Sequence, residues 1–221
     1  MDNLYIPIAE IAPFFLDTLW AEGYRNFGSY FFRYQYDTIP FYFTEPAAII
    51  PLRINIDKFE WAKSQKKIIH KNQDLECKWQ AINIDQEREN LFHKHKQRFK
   101  ENIPNNVRNF IGEEEDYQTD NTKEIACYFN GKLIAVSFVG VGQNALSSIY
   151  AMFDPDYNDR SLGVFTLLQE IEQVKKMQMQ YLYLGYAHQV PSFYDYKKKF
   201  YGLEAFDWNG NWQDFPRESN A

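Results

Sequence analysis

The sequence contains very little cysteine and no long apolar run. Cys77 and Cys127 are the only cysteines among 221 residues. Two are too few for a disulfide scaffold, and their spacing does not match a metal site. Reduced thiols are typical of a cytoplasmic protein, which is the location we expect. No stretch of about 18 apolar residues exists, so we expect no membrane-spanning helix. The acid at Asp2 is untypical of a secretion signal, which begins with basic residues.

The charge balance is acidic. The chain has 24 Lys and Arg against 30 Asp and Glu, a net charge of −6. This total argues against a protein that binds nucleic acid over its whole surface, since such proteins are usually basic. It is compatible with a local basic face, because the distribution of charge matters as well as its sum. Aromatic residues make up 18% of the chain, which indicates much buried ring surface.

Periodicity and turn residues predict two parts, an N-terminal lobe over residues 1–110 and a second domain over 123–221. A loop over 101–122 with an acidic centre separates them. In the first part we predict helices over 8–22, 61–72 and 85–100, and strands over 24–36, 47–56 and 75–82. In the second we predict strands over 124–130, 132–141, 146–153, 181–186 and 203–208, and helices over 162–178 and 192–200. This order is typical of an α+β fold.

Two local signals fix element boundaries. Asp85 stands where a helix N-cap is expected, directly before a helical pattern. Asn130 and Gly131 both tolerate positive φ, which predicts a type I′ hairpin turn between two strands.

The turn between the strand ending at residue 153 and the following helix predicts an anion site. Ser161 is a candidate N-cap, and Gly163 would let a ligand approach the first helical turn. The first amides of a helix, including that of Leu162, lack internal partners and attract anions. Arg160 would add a forked cationic donor. A phosphate-bearing donor substrate is therefore the predicted ligand of residues 160–163.

Longer motifs resemble the arginyl- and leucyl-tRNA–protein transferases, in the right order over about residues 20–213. They occupy residues 23–28, 51–54, 59–72, 147–155, 161–165, 170–172, 181–188 and 196–197. The resemblance implies a GNAT-like mixed sheet flanked by helices, with an N-terminal α+β lobe. It also implies an aminoacyltransferase that moves an amino acid from charged tRNA to a protein's N-terminal amine, as in protein arginylation and the N-degron pathway.

The sequence departs from that family at its cysteines. The family usually has a cysteine cluster before the segment at 51–54, whereas residues 39–48 contain none. The later Cys-Pro-Lys-Met-like element is replaced by Val190, Pro191, Ser192 and Phe193. We therefore expect no metal and no cofactor other than the aminoacyl-tRNA donor substrate.

The resemblance implies the partners and suggests candidate catalytic residues. The partners would be charged tRNA and the N-terminus of an acceptor protein. Asp154 could accept a proton or hold the incoming amine, and His188 could act as base or bind the terminal ribose. Tyr150 and Tyr186 lie on neighbouring predicted strands and could face the cleft.

Basic clusters are the candidate contacts to the tRNA backbone. Lys63, Lys67 and Lys71 share one face of a predicted helix at i, i+4 and i+8 spacing. Lys197 and Lys198 follow the predicted cleft. Aromatic residues near 194–196 could stack the unpaired acceptor end.

Two other functions remain open from the sequence. One is an N-acyltransferase that uses acyl-CoA, for which Phe165 would crowd the pyrophosphate. The other is a non-catalytic relative that binds without transferring, which the missing cysteines favour.

Overall fold

A mixed β-sheet forms the centre of the protein in a computed structural model that describes residues 2–37, 45–100 and 103–216. The strands are β1 (Asp2–Tyr5), β2 (Arg25–Phe27), β3 (Tyr30–Arg33), β4 (Tyr36–Asp37), β5 (Ala47–Asn55), β6 (Glu76–Gln80), β7 (Thr122–Phe129), β8 (Lys132–Val141), β9 (Ala145–Phe153), β10 (Tyr181–His188), β11 (Leu203–Phe206) and β12 (Trp212–Asp214). The main sheet has the order β12-β11-β5-β10-β9-β8-β7-β6, with β4 paired to β5.

Helices cover both faces of this sheet. They are α1 (Pro13–Ala21), α2 (Lys63–Lys71), α3 (Gln86–Lys96), α4 (Arg108–Ile111), α5 (Glu114–Tyr117) and α6 (Leu162–Lys176). On β8, Ser137 contacts α6, whereas Val136 and Phe138 pack with residues of α3. Because successive strand residues point to opposite faces, α6 and α3 lie on opposite sides. The predicted α+β class, with a mixed sheet flanked by helices, is confirmed.

Both local boundary signals are confirmed. The Asp85 carboxylate accepts a hydrogen bond from the Arg88 amide at 3.0 Å, so it caps α3. Asn130 and Gly131 have φ of 49° and 78°, and they join β7 to β8. The positive φ of both residues matches the strand twist that this hairpin needs.

The N-terminal helix and the acidic loop differ from the prediction. Residues Ile8–Glu10 form a separate 3-10 turn, and α1 begins at Pro13, because proline at the first helical position supplies no amide to a preceding turn. The predicted loop contains α4 and α5, and its acidic centre is the single helical turn of α5. Residues 101–102 of that loop, and residues 39–44 of the cysteine-free stretch, lie outside the described ranges.

The predicted boundary near residues 110–123 does not separate two sheets. β5 lies between β10 and β11, and β6 lies at the edge beside β7. Strands from both parts of the chain therefore share one sheet, and a division into lobes stays a prediction.

The two cysteines face each other on neighbouring strands. Cys77 of β6 is paired in register with Cys127 of β7, and their Sγ atoms are 2.6 Å apart as free thiols. The hydrogen bond with Cys77 and burial raise the pKa of the Cys127 thiol.

No helix within the described ranges is both long and apolar enough to cross a bilayer.

Candidate functional site

Arg160 is held by the protein itself, and only 15% of its side chain is exposed. Its guanidinium donates to both carboxylate oxygens of Asp74, at 2.8 and 2.9 Å, and lies over the ring of Phe129. Its carbonyl accepts from the side chain of Asn72 at 2.9 Å. Arg160 therefore fastens the turn before α6 to the end of α2. The forked donor predicted for a phosphate is therefore already engaged by Asp74, a residue far away in sequence.

The neighbouring turn residues also serve packing. Ser161 adopts a left-handed conformation and makes no side-chain cap. Leu162 is fully buried beside Phe165. A Cβ on Gly163 would come within 3.1 Å of the Phe153 ring, so glycine there accommodates Phe153. Phosphate binding by residues 160–163 stays a prediction that these contacts do not favour.

Asp154 is a buried carboxylate between two ammonium groups. Its Oδ2 accepts from Lys94 and Lys132, both at 2.9 Å. Burial raises the pKa of Asp154, but the hydrogen bonds from Lys132, Lys94 and the Asp156 amide outweigh burial and leave that pKa below its usual value. Such a carboxylate is a weak proton acceptor, so the geometry favours a structural role.

The other three predicted catalytic residues have different surroundings. The hydroxyl of Tyr186 lies 2.9 Å from the carbonyl of Gly23 and 3.2 Å from that of Phe32, which ties β10 to the N-terminal strands. His188 Nε2 lies 3.1 Å from Asp37 Oδ2. Tyr150 stacks on Phe110 with ring centroids 3.8 Å apart. Its buried hydroxyl has no hydrogen-bond partner within the described ranges.

The predicted basic residues fall into two groups. Lys63, Lys67 and Lys71 of α2 are exposed, as a tRNA contact requires. Lys197 and Lys198 are buried, at 7% and 4% exposure, so they cannot form part of an exposed basic face. The 3-10 turn Phe193–Lys199 packs both of these side chains inward.

An opening between β9 and β10 brings buried charges together. These parallel strands pair only at Ala145–Ser147 and Tyr181–Tyr183. Beyond these pairs, among the described strands, β9 pairs only with β8, and β10 pairs only with β5. The β9–β8 pairing has a register shift after Ser148, and the β10–β5 pairing has one after Tyr183. Bulges of this kind bend strands and leave backbone groups unpaired. We call this opening, with the side chains of Arg25, Glu170 and Lys197 around it, the strand gap.

Arg25 reaches the strand gap from β2. Its Nη2 donates to the carbonyl of Ile149, the bulge residue of β9, at 3.1 Å. On the other side, a Cβ on Gly185 would come within 2.6 Å of Arg25 Nε. Gly185 has φ of +74°, so glycine is required there for both backbone conformation and space. The Tyr-Leu-Gly-Tyr motif of β10 is thereby explained by the approach of Arg25.

Glu170 of α6 is a buried carboxyl with incomplete hydrogen bonding. Oε1 accepts from the hydroxyls of Ser137 and, at 3.2 Å, Ser148. Oε2 has no partner among the described residues. Burial raises the pKa of Glu170 to about 8, although both serines and the charge of Lys197 act in the opposite direction. Glu170 is therefore able to take up or release a proton near neutral pH.

Lys197 completes the strand gap from the turn after β10. Its Nζ donates to the carbonyl of Tyr186 at 3.1 Å and lies over the Tyr194 ring. Burial, and next the charge of Arg25, hold the pKa of Lys197 well below its usual value, while Glu170 acts to raise it. Lys197 therefore interacts electrostatically with both Arg25 and Glu170.

The strand gap was not predicted as a site, although its residues carried signals. Glu170 stands three residues after Leu167 and four before Val174, on the apolar face of α6, where a carboxyl is unexpected. Arg25 and Lys197 both lay in motifs used for the family resemblance. Their burial and convergence depend on tertiary packing that periodicity does not reveal.

The family model for the C terminus of arginine-tRNA-protein transferases matches residues 78–207. The chain belongs to this family. Its members are aminoacyltransferases, as the sequence predicted. The match includes Glu170, Lys197 and the whole of β9 and β10.

Curated relatives resemble the chain over most of its length. The aspartate/glutamate leucyltransferase of Marinobacter nauticus is 27% identical over 96% of this chain and 92% of its own length. That of Campylobacter jejuni is 32% identical over 76% of this chain and 70% of its own length. That of Leptospira interrogans is 30% identical, with 66% of this chain matched to 59% of the relative.

Among solved structures, FemX superposes with a TM-score of 0.51 at 8% identity, covering 81% of this chain and 61% of its own. At that identity the likeness concerns the fold alone.

Proposed function

We propose that this protein transfers leucine from leucyl-tRNA to the N-terminal amine of proteins that begin with aspartate or glutamate. The observation that carries this proposal is the similarity to a protein named aspartate/glutamate leucyltransferase over 96% of the chain. A charged tRNA donor agrees with a cytoplasmic location. The resemblance alone leaves arginine and leucine as alternative cargoes, and the names of the relatives favour leucine.

The reaction is an ester aminolysis. The acceptor nitrogen attacks the ester carbonyl of the aminoacyl-tRNA, a C–N bond forms, and the C–O bond to the terminal ribose breaks. The amine loses a proton, and the ribose oxygen gains one as it leaves. The donor is already activated, so positioning supplies much of the acceleration, on the order of 7–11 kcal/mol.

We place this reaction at the strand gap. An N-terminal amine has a pKa of about 8, close to the value of about 8 for Glu170. A carboxyl and an amine of matched pKa exchange a proton with little cost, so the ionised form of Glu170, which predominates above about pH 8, is suited to receive the amine's proton. Its unpartnered Oε2 is the oxygen that would accept it.

The tRNA would approach across α2 and the mouth of the strand gap. Lys63, Lys67 and Lys71 are exposed on α2 and could contact phosphates. Phe193 is 68% exposed and Tyr194 42% exposed next to His188. Exposed rings of this kind stack unpaired bases, which suits the single-stranded acceptor end.

The test is a donor comparison with the purified chain and a peptide that begins with aspartate. Labelled leucyl-tRNA, arginyl-tRNA and acetyl-CoA are supplied in parallel. We expect label to move to the peptide from leucyl-tRNA. Label from arginyl-tRNA alone would replace leucine by arginine as the cargo. Label from acetyl-CoA alone would indicate an acyl-CoA enzyme, and no transfer would indicate a binding module.

A further inference from the structure

We infer that Arg25 binds the side-chain carboxylate of the acceptor's first residue and so selects acidic N-termini. This inference rests on the proposed function, and it assigns the part of the strand gap that reads the acceptor.

Unlike most arginines of the chain, Arg25 has no acidic partner among the described residues. Among the described residues, no carboxylate oxygen lies within 4.0 Å of Arg25 or of Lys197. Other arginines do pair with acids: Arg33 with Asp2, Arg53 with Glu204, Arg88 with Glu124, Arg108 with Glu89, and Arg160 with Asp74. A partly buried cation without a counter-ion is costly unless an anion joins it.

The contacts of Arg25 orient its guanidinium and leave donors available. One nitrogen donates to the Ile149 carbonyl, and the guanidinium carbon lies 5.5 Å from the ring centroids of both Phe27 and Tyr186. A guanidinium has five N–H donors in a fixed fork. The remaining donors can therefore take a carboxylate in the bidentate geometry that arginine favours.

A small pocket gives access to this side chain. It is lined by Arg25 with Tyr24, Ser147, Gly185 and Tyr186, among others, and holds about 10 Å³, roughly the room that one water molecule needs. Pockets for whole small molecules usually measure about 300–1,000 Å³. The pocket is therefore far too small for a nucleotide, which argues against a tRNA phosphate as the anion, and an acceptor carboxylate would enter it by displacing lining side chains.

The location also suits the chemistry. Arg25 reaches the strand gap at Ile149 of β9, and Glu170 reaches it at the adjacent Ser148. Lys197 reaches it at Tyr186 of β10. An acceptor whose carboxylate is held by Arg25 would present its N-terminal amine to the same gap. The recognition of the side chain and the loss of the amine's proton would then occur in one place.

The experiment compares peptides that begin with Asp or Asn and are otherwise identical. Binding is measured by calorimetry without tRNA, and kcat/KM is measured with leucyl-tRNA. We expect the wild type to favour Asp, and Arg25→Met to reduce the Asp/Asn ratio about tenfold to hundredfold, as expected for hydrogen bonds to a charged group. Arg25→Lys should keep part of the preference. The ratio does not depend on the fraction of folded protein.

Arg33→Met is the matched control. It removes the same charge from the neighbouring strand β3, where the guanidinium pairs with Asp2 at 2.9 Å. Its Asp/Asn ratio should equal that of the wild type. The inference is overturned if Arg25→Met leaves the ratio unchanged in the binding measurement, or lowers binding of both peptides equally. An absence of leucyl transfer by the wild type, with the binding preference intact, would overturn only the proposed function.

Discussion

Replacing Glu170 by glutamine tests whether the carboxyl in the strand gap is protonated in the folded protein. Glutamine keeps the shape and an oxygen that can accept from Ser137 and Ser148, but it has no proton to lose in this pH range. The comparison of Glu170→Gln with the wild type therefore isolates the ionisation of one buried group.

The expected effect follows from the pKa of about 8 in the folded protein, against a usual value of 4.5. Between these pH values the unfolded chain has lost the proton, whereas the folded protein keeps it. The free energy of unfolding of the wild type therefore falls as pH rises, by up to about 1.4 kcal/mol per pH unit. Glu170→Gln lacks this fall. Its stability relative to the wild type should thus increase between pH 5 and pH 8, by at most about 4 kcal/mol.

The assay is urea denaturation of both proteins at half-unit steps from pH 5 to pH 8.5. Glu172→Gln on the exposed side of α6 is the control, and it should shift stability by the same small amount at every pH. A difference between Glu170→Gln and the wild type that does not change with pH would refute the reasoning, because the Glu170 carboxyl would then be ionised throughout.

Three further predictions concern other parts of the molecule. Arg160→Ala should lower the urea midpoint and leave the KM for leucyl-tRNA unchanged. In a protein that already carries Asp74→Ala, the same substitution should have little effect on stability. A raised KM with an unchanged urea midpoint would instead support phosphate binding by Arg160. Gly185→Ala should lower the free energy of unfolding by about 1–2 kcal/mol because of the positive φ at this position, and it should displace Arg25. A variant with the melting temperature and the Asp/Asn ratio of the wild type would contradict the geometry of the strand gap. Lys67→Met should reduce the slope of log Kd for tRNA against log salt by about one, and an unchanged slope would remove α2 from the tRNA face.

Local signals predicted the elements well, and long-range packing explains the differences. The Asp85 cap and the Asn130–Gly131 turn depend on neighbouring backbone, so a short window of sequence suffices for them. The role of Arg160 depends on Asp74, which lies 86 positions away in sequence. The turn before α6 has the composition of an anion site, but the Arg160 guanidinium that would add its charge is already paired with Asp74.

The charged residues of the strand gap were also not predictable from local sequence. A run of lysines at residues 197–199 reads as a solvated surface, but the fold of this turn buries Lys197 against the carbonyl of Tyr186. Glu170 was visible as an acid within an apolar helix face. What it meets there, two serines and a distant lysine, requires the sheet to be assembled.

The most direct test of the transfer site is photocrosslinking with a non-hydrolysable tRNA that carries a diazirine analogue of leucine. After irradiation, the crosslinked peptide is identified by mass spectrometry. We predict crosslinks to the ends of β9 and β10 that flank the strand gap, in residues 147–153 or 183–188. Crosslinks confined to residues 155–165 would contradict this account and return the donor to the turn before α6.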